Sequence, residues 1–419
     1  MRLIYNMLIY LAAPVALLMH LWRGLRDPSY RERLGERFGF GPALPGETIW
    51  IHAVSVGEVQ AAESLVKQLL ARHPRHPLLL TTVTPTGAAR ARQLFGSTVW
   101  LRYVPFDLPG SVRRFFDRVR PRLAMILETE LWPNLYAECG RREVPLVLAS
   151  ARISPRSVGR YRRLVPLFRQ ALSHGIVIAA QSETDAARFR SIGANPARTH
   201  VTGNIKFDFQ PPHGIEERGA RWREANAPGR LIWVAGSTHE GEEEMILDAH
   251  RAVRKQFPEA LLLLVPRHPQ RFDIARELLT RRAEAYTNRS TGTAIPRATS
   301  VMLGDTMGEL MMFYAAADVA FVAGSLVPIG GHNLLEPASL GRPVLTGPHN
   351  FNSEAVARLL FEAGAARVVA DTGQLGEAVS GLLGNIDIRV SMGAAGRGVL
   401  DANRGALDRL LKLVDPLLD

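Results

Sequence analysis

Cysteine is almost missing from this chain: Cys139 is the single one in 419 residues. That excludes an internal disulfide framework and a cysteine-rich metal site, and it fits a reducing compartment. Other absences narrow the chemistry. There is no Walker A sequence, no G-x-G-x-x-G after an apolar run, no H-E-x-x-H and no Asp-x-Asp pair. No internal repeat is visible. A basic low-complexity tail is lacking too, which weakens nucleic acid as a partner although the formal charge is +11.

The charge itself, 51 Lys+Arg against 40 Asp+Glu, favours anionic partners such as phospholipid or a phosphorylated sugar. The excess is mostly arginine, which suits phosphate and carboxylate recognition. Leu3 to Met19 is apolar apart from Asn6, Tyr5 and Tyr10, and Arg23, Arg26, Arg31, Arg33 and Arg37 follow. This run is near the lower limit for spanning a bilayer. The arginine flank would keep the following residues on the cytoplasmic side. Three readings stay open: a span, an interfacial helix held by Tyr5, Tyr10 and Trp22, or a buried first helix.

From Thr48 onward apolar runs alternate with helical stretches. The runs are Thr48 to Val54, Leu78 to Val83, Leu123 to Leu127, Pro145 to Ala149 and Ile176 to Ala180. Helices are expected between them, for example Val59 to Arg72 and Gly87 to Phe95. A second series takes in Leu231 to Ala235, Leu261 to Val265, Asp318 to Val322, Pro343 to Thr346 and Ala366 to Ala370. This is the pattern of parallel sheets covered on both faces, and 419 residues imply two domains. The expected boundaries are an anchor and basic flank over 1–36, a first domain over 37–209, a Pro/Gly-containing polar linker over 210–230, a second domain over 231–403 and a closing helix over 404–419. In open α/β sheets ligands bind beyond the strand carboxyl ends, so the loops there carry the functional reading.

Glu58, in Ser55-Val56-Gly57-Glu58, stands at a strand mouth and a helix start. It suits a general base and equally a capping box with Ser55. Glu128 and Glu130 close a buried strand and need partners, for which Arg152 and Lys206 are near enough in the pattern. Lys206 can neutralise a phosphate or a developing charge, or pair with Asp208. Arg267, in Pro266-Arg267-His268, is placed for a bidentate contact with an anion. Gly304 to Leu310 and Gly330-Gly331-His332-Asn333-Leu334-Leu335-Glu336 each read as a loop opening a helix. There, backbone N–H groups can meet a phosphate, or the glycines can simply supply a turn. The Gly236 to Glu242 loop has hydroxyls and N–H groups suited to a phosphate, although its glutamates would repel one. A nucleotide carrying one phosphate, held by Arg267, Lys206 and helix N-termini, needs no metal.

Six of these segments, in this order, resemble the 3-deoxy-D-manno-octulosonic acid (Kdo) transferases: Ser55 to Glu58, Glu128 to Asn134, Lys206 to Asp208, Pro266 to His268, Gly304 to Glu309, and Gly330 to Glu336. The resemblance covers nearly the whole chain. It implies a GT-B fold of two Rossmann-like doubly wound domains facing a central cleft, with an N-terminal membrane-anchoring helix. It implies metal-independent, inverting transfer from CMP-Kdo to a lipid A precursor (lipid IV-A), with no cofactor, at the cytoplasmic face of the inner membrane. By the same resemblance Glu58 is the general base, and Glu128 and Lys206 stabilise the transition state. The CMP site is Pro266, Arg267, Met307, Gly308, Glu309, Asn333, Leu334, Leu335 and Glu336. The arginine-rich segment from Arg152 to Arg163 is a candidate acceptor surface. The rival reading among enzymes is a two-domain UDP-sugar transferase or epimerase.

Overall fold

The computed structural model describes residues 2–128, 130–154, 158, 175–292 and 294–418. Arg160 and Arg163 lie outside the described residues. The chain divides into two compact units, Met1–Asp208 with Asn403–Asp419, and Phe209–Ala402.

The first unit is built on seven parallel strands: β1 Thr48–His52, β2 Leu78–Thr82, β3 Trp100–Tyr103, β4 Pro121–Leu127, β5 Leu146–Ala151, β6 Val177–Ala180 and β7 Thr199–Val201. Their order is β3-β2-β1-β4-β5-β6-β7, so the chain reverses direction between β1 and β4. β1, β2 and β5 are buried along their whole length, and β4 at every residue but Arg122, which is why they read as apolar runs. Strand alternation splits their side chains between two cores. Trp50, Ala124, Ile126 and Leu148 meet Phe115 and Phe116 on one face. Ile49, Ile51, Leu123 and Met125 meet Leu65, Leu69 and Leu410 on the other. Trp50 packs edge-on to Phe115 at 4.9 Å and donates its indole N–H to Thr81 Oγ1 at 2.8 Å. Truncating Phe115 to alanine would cost roughly 3–5 kcal/mol.

The closing helix, Ala406–Val414, belongs to this unit. Ala406, Leu407, Leu410, Leu411 and Val414 enter the second core. Asp208 fastens its start by accepting the N–H groups of Gly405 (2.6 Å) and Leu407 (2.7 Å).

The N-terminal helix Arg2–Arg26 is not buried. Leu3, Met7, Leu8, Leu11, Val15, Leu18, Trp22 and Leu25 are exposed. Among the described residues, positions 5, 6, 9, 13, 17, 20 and 24 are the covered ones, a stripe at helical spacing. Tyr5 donates to Asp107 Oδ2 at 2.8 Å, and the His20 ring meets the Tyr30 carbonyl at 2.8 Å.

The second unit carries β8 Ile232–Thr238, β9 Leu261–Pro266, β10 Tyr286–Asn288, β11 Val301–Leu303, β12 Val319–Val322, β13 Val344–Thr346 and β14 Ala366–Val368. All are parallel, in the order β10-β11-β9-β8-β12-β13-β14. Residues 210–230 are not a bare linker. They hold the helix Ile215–Asn226, which packs on the helix Leu310–Ala316. Trp222 sits edge-on to Phe313 at 5.5 Å, and a Cβ on Gly219 would stand 2.5 Å from Ala315 Cβ. Arg223 grips Asp318 through both carboxylate oxygens. The polar surface of this helix, with only Ile215, Gly219 and Trp222 buried, made the segment read as linker.

Candidate active site

In the first unit, the carboxyl ends of β1, β4 and β5 converge on a small hollow. It is lined by Glu58, Ala61, Leu127, Glu128, Ser150, Asn204, Ile205 and Lys206. Ser55 caps the helix Val56–Ala61 by accepting from the Glu58 N–H. Glu58 bends back so that Oε2 accepts the Val54 N–H at 2.8 Å and Oε1 accepts the Ser55 hydroxyl at 3.3 Å. The cap and the base are therefore not rivals: the cap fixes the carboxyl at the strand mouth. Burial, then the nearby charges of Glu128 and Glu130, push this carboxyl up to about 7. A carboxylate titrating there is half-ionised near neutral pH and able to take a proton.

Glu128 follows the last residue of β4 in a left-handed conformation (φ 55°), a strained backbone for a side chain of this size. β4 ends at Leu127, before it, so strand alternation does not set the sides that Glu128 and Glu130 face. Its two oxygens are taken by separate cations: Lys206 Nζ on Oε1 and Arg152 Nε on Oε2, both at 2.8 Å. Burial raises its pKa, but Lys206 and Arg152 outweigh it and hold the group below the usual carboxylate range. Lys206 pairs with Glu128 rather than Asp208, whose oxygens are occupied by the closing helix. Ser150, also left-handed (φ 53°), accepts the Ile205 N–H at 3.1 Å and sets the backbone that carries Lys206. Ser150 and Asn204 were missed from sequence. Their signal was position alone, Ser150 at the carboxyl end of β5 and Asn204 after β7.

In the second unit the end of β9 and the loops behind β9, β11 and β12 carry the remaining candidate residues. Arg267 follows β9 directly, and its N–H donates to the Thr238 carbonyl at 3.1 Å, tying two loops together. Met307 is half-exposed and Gly308 is left-handed (φ 82°) with open space where a Cβ would stand. Glu309 is held by both Nε and Nη2 of Arg289 and accepts from the Thr306 hydroxyl. Burial raises the Glu309 carboxyl, and those partners bring it below its ordinary value.

Behind β12, Gly330 (φ 110°) and Gly331 (φ 73°) do need their conformations. A Cβ at either would also strike Asn352 or Asn350. The Gly331 N–H donates to the Gly324 carbonyl, so it is committed to the loop itself. The helix that follows, Leu335–Ser339, is only five residues long, which limits its dipole. Asn333 Oδ1 accepts the Leu335 N–H and its amide meets Glu336 Oε1 at 3.3 Å. Leu334 and Leu335 are buried supports. Of the glutamates after β8, Glu242 is buried and accepts N–H bonds from Gly324, Ser325, Leu326 and His239, Glu243 pairs with Arg271, and Glu240 is exposed with its carboxylate 3.7 Å from Arg271.

Residues 32–209 match the family model described as 3-Deoxy-D-manno-octulosonic-acid transferase (kdotransferase). A 3-deoxy-D-manno-octulosonic acid transferase of Haemophilus influenzae is 42% identical, covering 100% of this chain and 99% of its own. The chain belongs to the Kdo transferase family. A second member, from Bordetella pertussis, is 40% identical over 92% of this chain and 91% of its own. This Kdo transferase is a glycosyltransferase with a GT-B-type fold. A solved glycosyltransferase of Rickettsia africae aligns with TM-score 0.56 over 90% of this chain and 100% of that one. At 11% identity that likeness concerns the fold alone.

Proposed function

We propose that this Kdo transferase moves Kdo from CMP-Kdo to a lipid A precursor (lipid IV-A), with inversion and without a metal. The acceptor hydroxyl attacks the anomeric carbon and gives its proton to Glu58, while the bond to the CMP phosphate breaks and CMP departs. One carboxylate base suffices, because the phosphate leaves without a separate acid; the chemistry is half that of an inverting glycosidase. The observation that carries this reading is the Glu58 carboxyl, fixed by its cap and raised to about 7. Beside it in the hollow is Glu128, clamped by Lys206 and Arg152. That cluster suits stabilisation of a charge-separated transition state. The donor's CMP falls to Pro266, Arg267, Met307, Gly308, Glu309, Asn333, Leu334, Leu335 and Glu336 in the second unit, and the acceptor to the first.

The N-terminal helix supports a membrane site for this reaction. It has 24 residues of sufficient length and apolarity to cross a bilayer. Its covered stripe, fastened at Tyr5 and again at His20, favours a helix lying along the cytoplasmic leaflet with Leu8, Leu11, Val15 and Leu18 in the lipid.

The test is transfer from freshly made CMP-Kdo to tetra-acylated lipid A precursor, wild type beside Glu58→Ala. Activity in the wild type and its loss in a folded, CMP-binding variant support the whole reading. Equal activity in both removes Glu58 as base. A folded wild type that binds UDP in place of CMP and transfers no Kdo sinks the donor assignment.

A further inference from the structure

A side chain with no part in lining the hollow holds the backbone behind it. The pairing of β5 with β6 slips before the strand ends: Leu148 faces Ile178, but Ala151 faces Ala180, so three steps on β5 oppose two on β6. Ser150 sits in this irregularity in its left-handed conformation (φ 53°). A bulge of this kind bends its strand and re-aims the groups beside it. A left-handed serine persists only where its surroundings hold it. Gln181, the half-buried residue that follows β6, is what holds it. Its own N–H donates to the Ala151 carbonyl at 2.9 Å, so the side chain starts from a fixed point of the sheet.

From Ser150 the hydrogen bonds run in one direction. Gln181 Nε2 donates to the Ser150 carbonyl at 2.9 Å, Asn204 Nδ2 donates to Gln181 Oε1 at 3.2 Å, and the Lys206 N–H donates to Asn204 Oδ1 at 3.0 Å. A backbone group closes each end: the carbonyl can only accept and the N–H can only donate. Both amides are therefore fixed in orientation. Turning either one over would set donor against donor on one side and acceptor against acceptor on the other. Ser150 closes the circuit with its second polar atom, Oγ accepting the Ile205 N–H at 3.1 Å. Two consecutive backbone N–H groups, of Ile205 and Lys206, are thus placed from β5 and β6. Lys206 then reaches Glu128 Oε1 with its Nζ at 2.8 Å. A lysine head rides on a flexible four-carbon stem, so its position is only as good as that of its backbone.

We propose that Gln181 is a positioning residue of the transfer reaction, holding the Lys206 ammonium on Glu128 through Ser150 and Asn204. The inference rests on the reading of Glu128 and Lys206 as the groups that stabilise the transition state. Gln181 acts through Lys206 and lines none of the hollow itself.

The experiment is Kdo transfer from CMP-Kdo to the tetra-acylated precursor by the full-length wild type, Gln181→Met, Lys206→Met and the double variant, with circular dichroism to identify folded protein. Methionine keeps the length and bulk of glutamine and removes both side-chain hydrogen bonds. The expected result is a fall in kcat of roughly 10- to 100-fold, the cost of a small misplacement of a reacting group. KM for CMP-Kdo should stay unchanged, as for an interaction made in the transition state. Gln181→Glu should show the same loss, because it keeps an oxygen for Asn204 but sets another against the Ser150 carbonyl; it gives the answer if the methionine variant does not fold. In the Lys206→Met background Gln181→Met should cost nothing further, since its route is already cut. Losses that multiply in the double variant overturn the proposal, as does a folded Gln181→Met or Gln181→Glu with the wild-type kcat. If Lys206→Met transfers at the wild-type rate, it is the reading of Lys206 that fails, and the role of Gln181 goes with it.

Discussion

The two units share an architecture and differ at the edge that matters. Each is a seven-stranded parallel sheet with its chain reversal beside the first strand. At the first edge a carboxyl is made harder to ionise: Glu58 is raised to about 7 by burial and by Glu128 and Glu130. At the second edge the imidazoles of His239 and His332, after β8 and β12, are made harder to protonate, by burial and by cations. One edge keeps a proton acceptor ready near neutrality; the other holds its imidazoles neutral there. The scaffold is the same, so the division of labour lies in the loops.

The largest test of that contrast is Glu58→Gln, which keeps the cap's shape and removes the proposed base. Transfer should fall by roughly 10²–10⁴-fold. The wild-type rate should rise with pH through about 7, as the carboxyl ionises, and the variant should lose that limb. Stability should move the other way. A carboxyl raised from 4.5 to about 7 in the folded state adds stability at pH 4 that is lost as pH climbs through 7. The variant should therefore gain roughly 1–3 kcal/mol over wild type at pH 8, relative to its standing at pH 4. Thermal denaturation at the two pH values measures it; no difference between them would mean that Glu58 titrates normally.

Two buried carboxylates sharpen the comparison. Glu128 is satisfied by two cations, Glu242 by four backbone N–H groups. Replacing Glu242 with glutamine exchanges one acceptor oxygen for an NH2 donor facing two backbone N–H groups in a buried loop, and should cost roughly 1–3 kcal/mol, read as a lower melting temperature. Glu128→Gln leaves Lys206 and Arg152 partly exposed to solvent, so its fold should suffer less while transfer falls. If Glu242→Gln harmed activity alone and Glu128→Gln harmed stability alone, their roles would be the reverse of those argued here.

Much of this was readable in advance, for physical reasons. Buried parallel strands announce themselves as apolar runs, and β1, β4, β8 and β9 were legible for that reason. The short strands were legible unevenly: β13 and β14 fall within expected runs, whereas β3, β7, β10 and β11, of three or four residues each, do not. The helix Ile215–Asn226 hid because it buries only three residues. Glu58, Glu128 and Lys206 stood out because strand ends in open sheets point toward ligands. The clamp on Glu128 needed three dimensions, since Lys206 lies 78 residues away. So did the path from Ser150 through Gln181 and Asn204 to Lys206, which no spacing encodes.

The smallest predicted effect concerns how the first unit closes. The second unit begins and ends in its own helices, whereas the first recruits the chain's far end, held by Asp208 against Gly405 and Leu407. Asp208→Ala strips two N–H groups of their acceptor at the start of that helix and should cost about 1–2 kcal/mol. In a molecule of two units a single melting temperature blurs such a change. Amide exchange of Leu410, Leu411 and Val414 resolves it, with an expected acceleration of roughly 5- to 30-fold. Asp208→Asn, which keeps one acceptor oxygen, should give back most of the protection. Unchanged exchange in the alanine variant would assign the docking of this helix to Leu410, Leu411 and Val414 alone, and the chain-end closure would be apolar like every other element of that core.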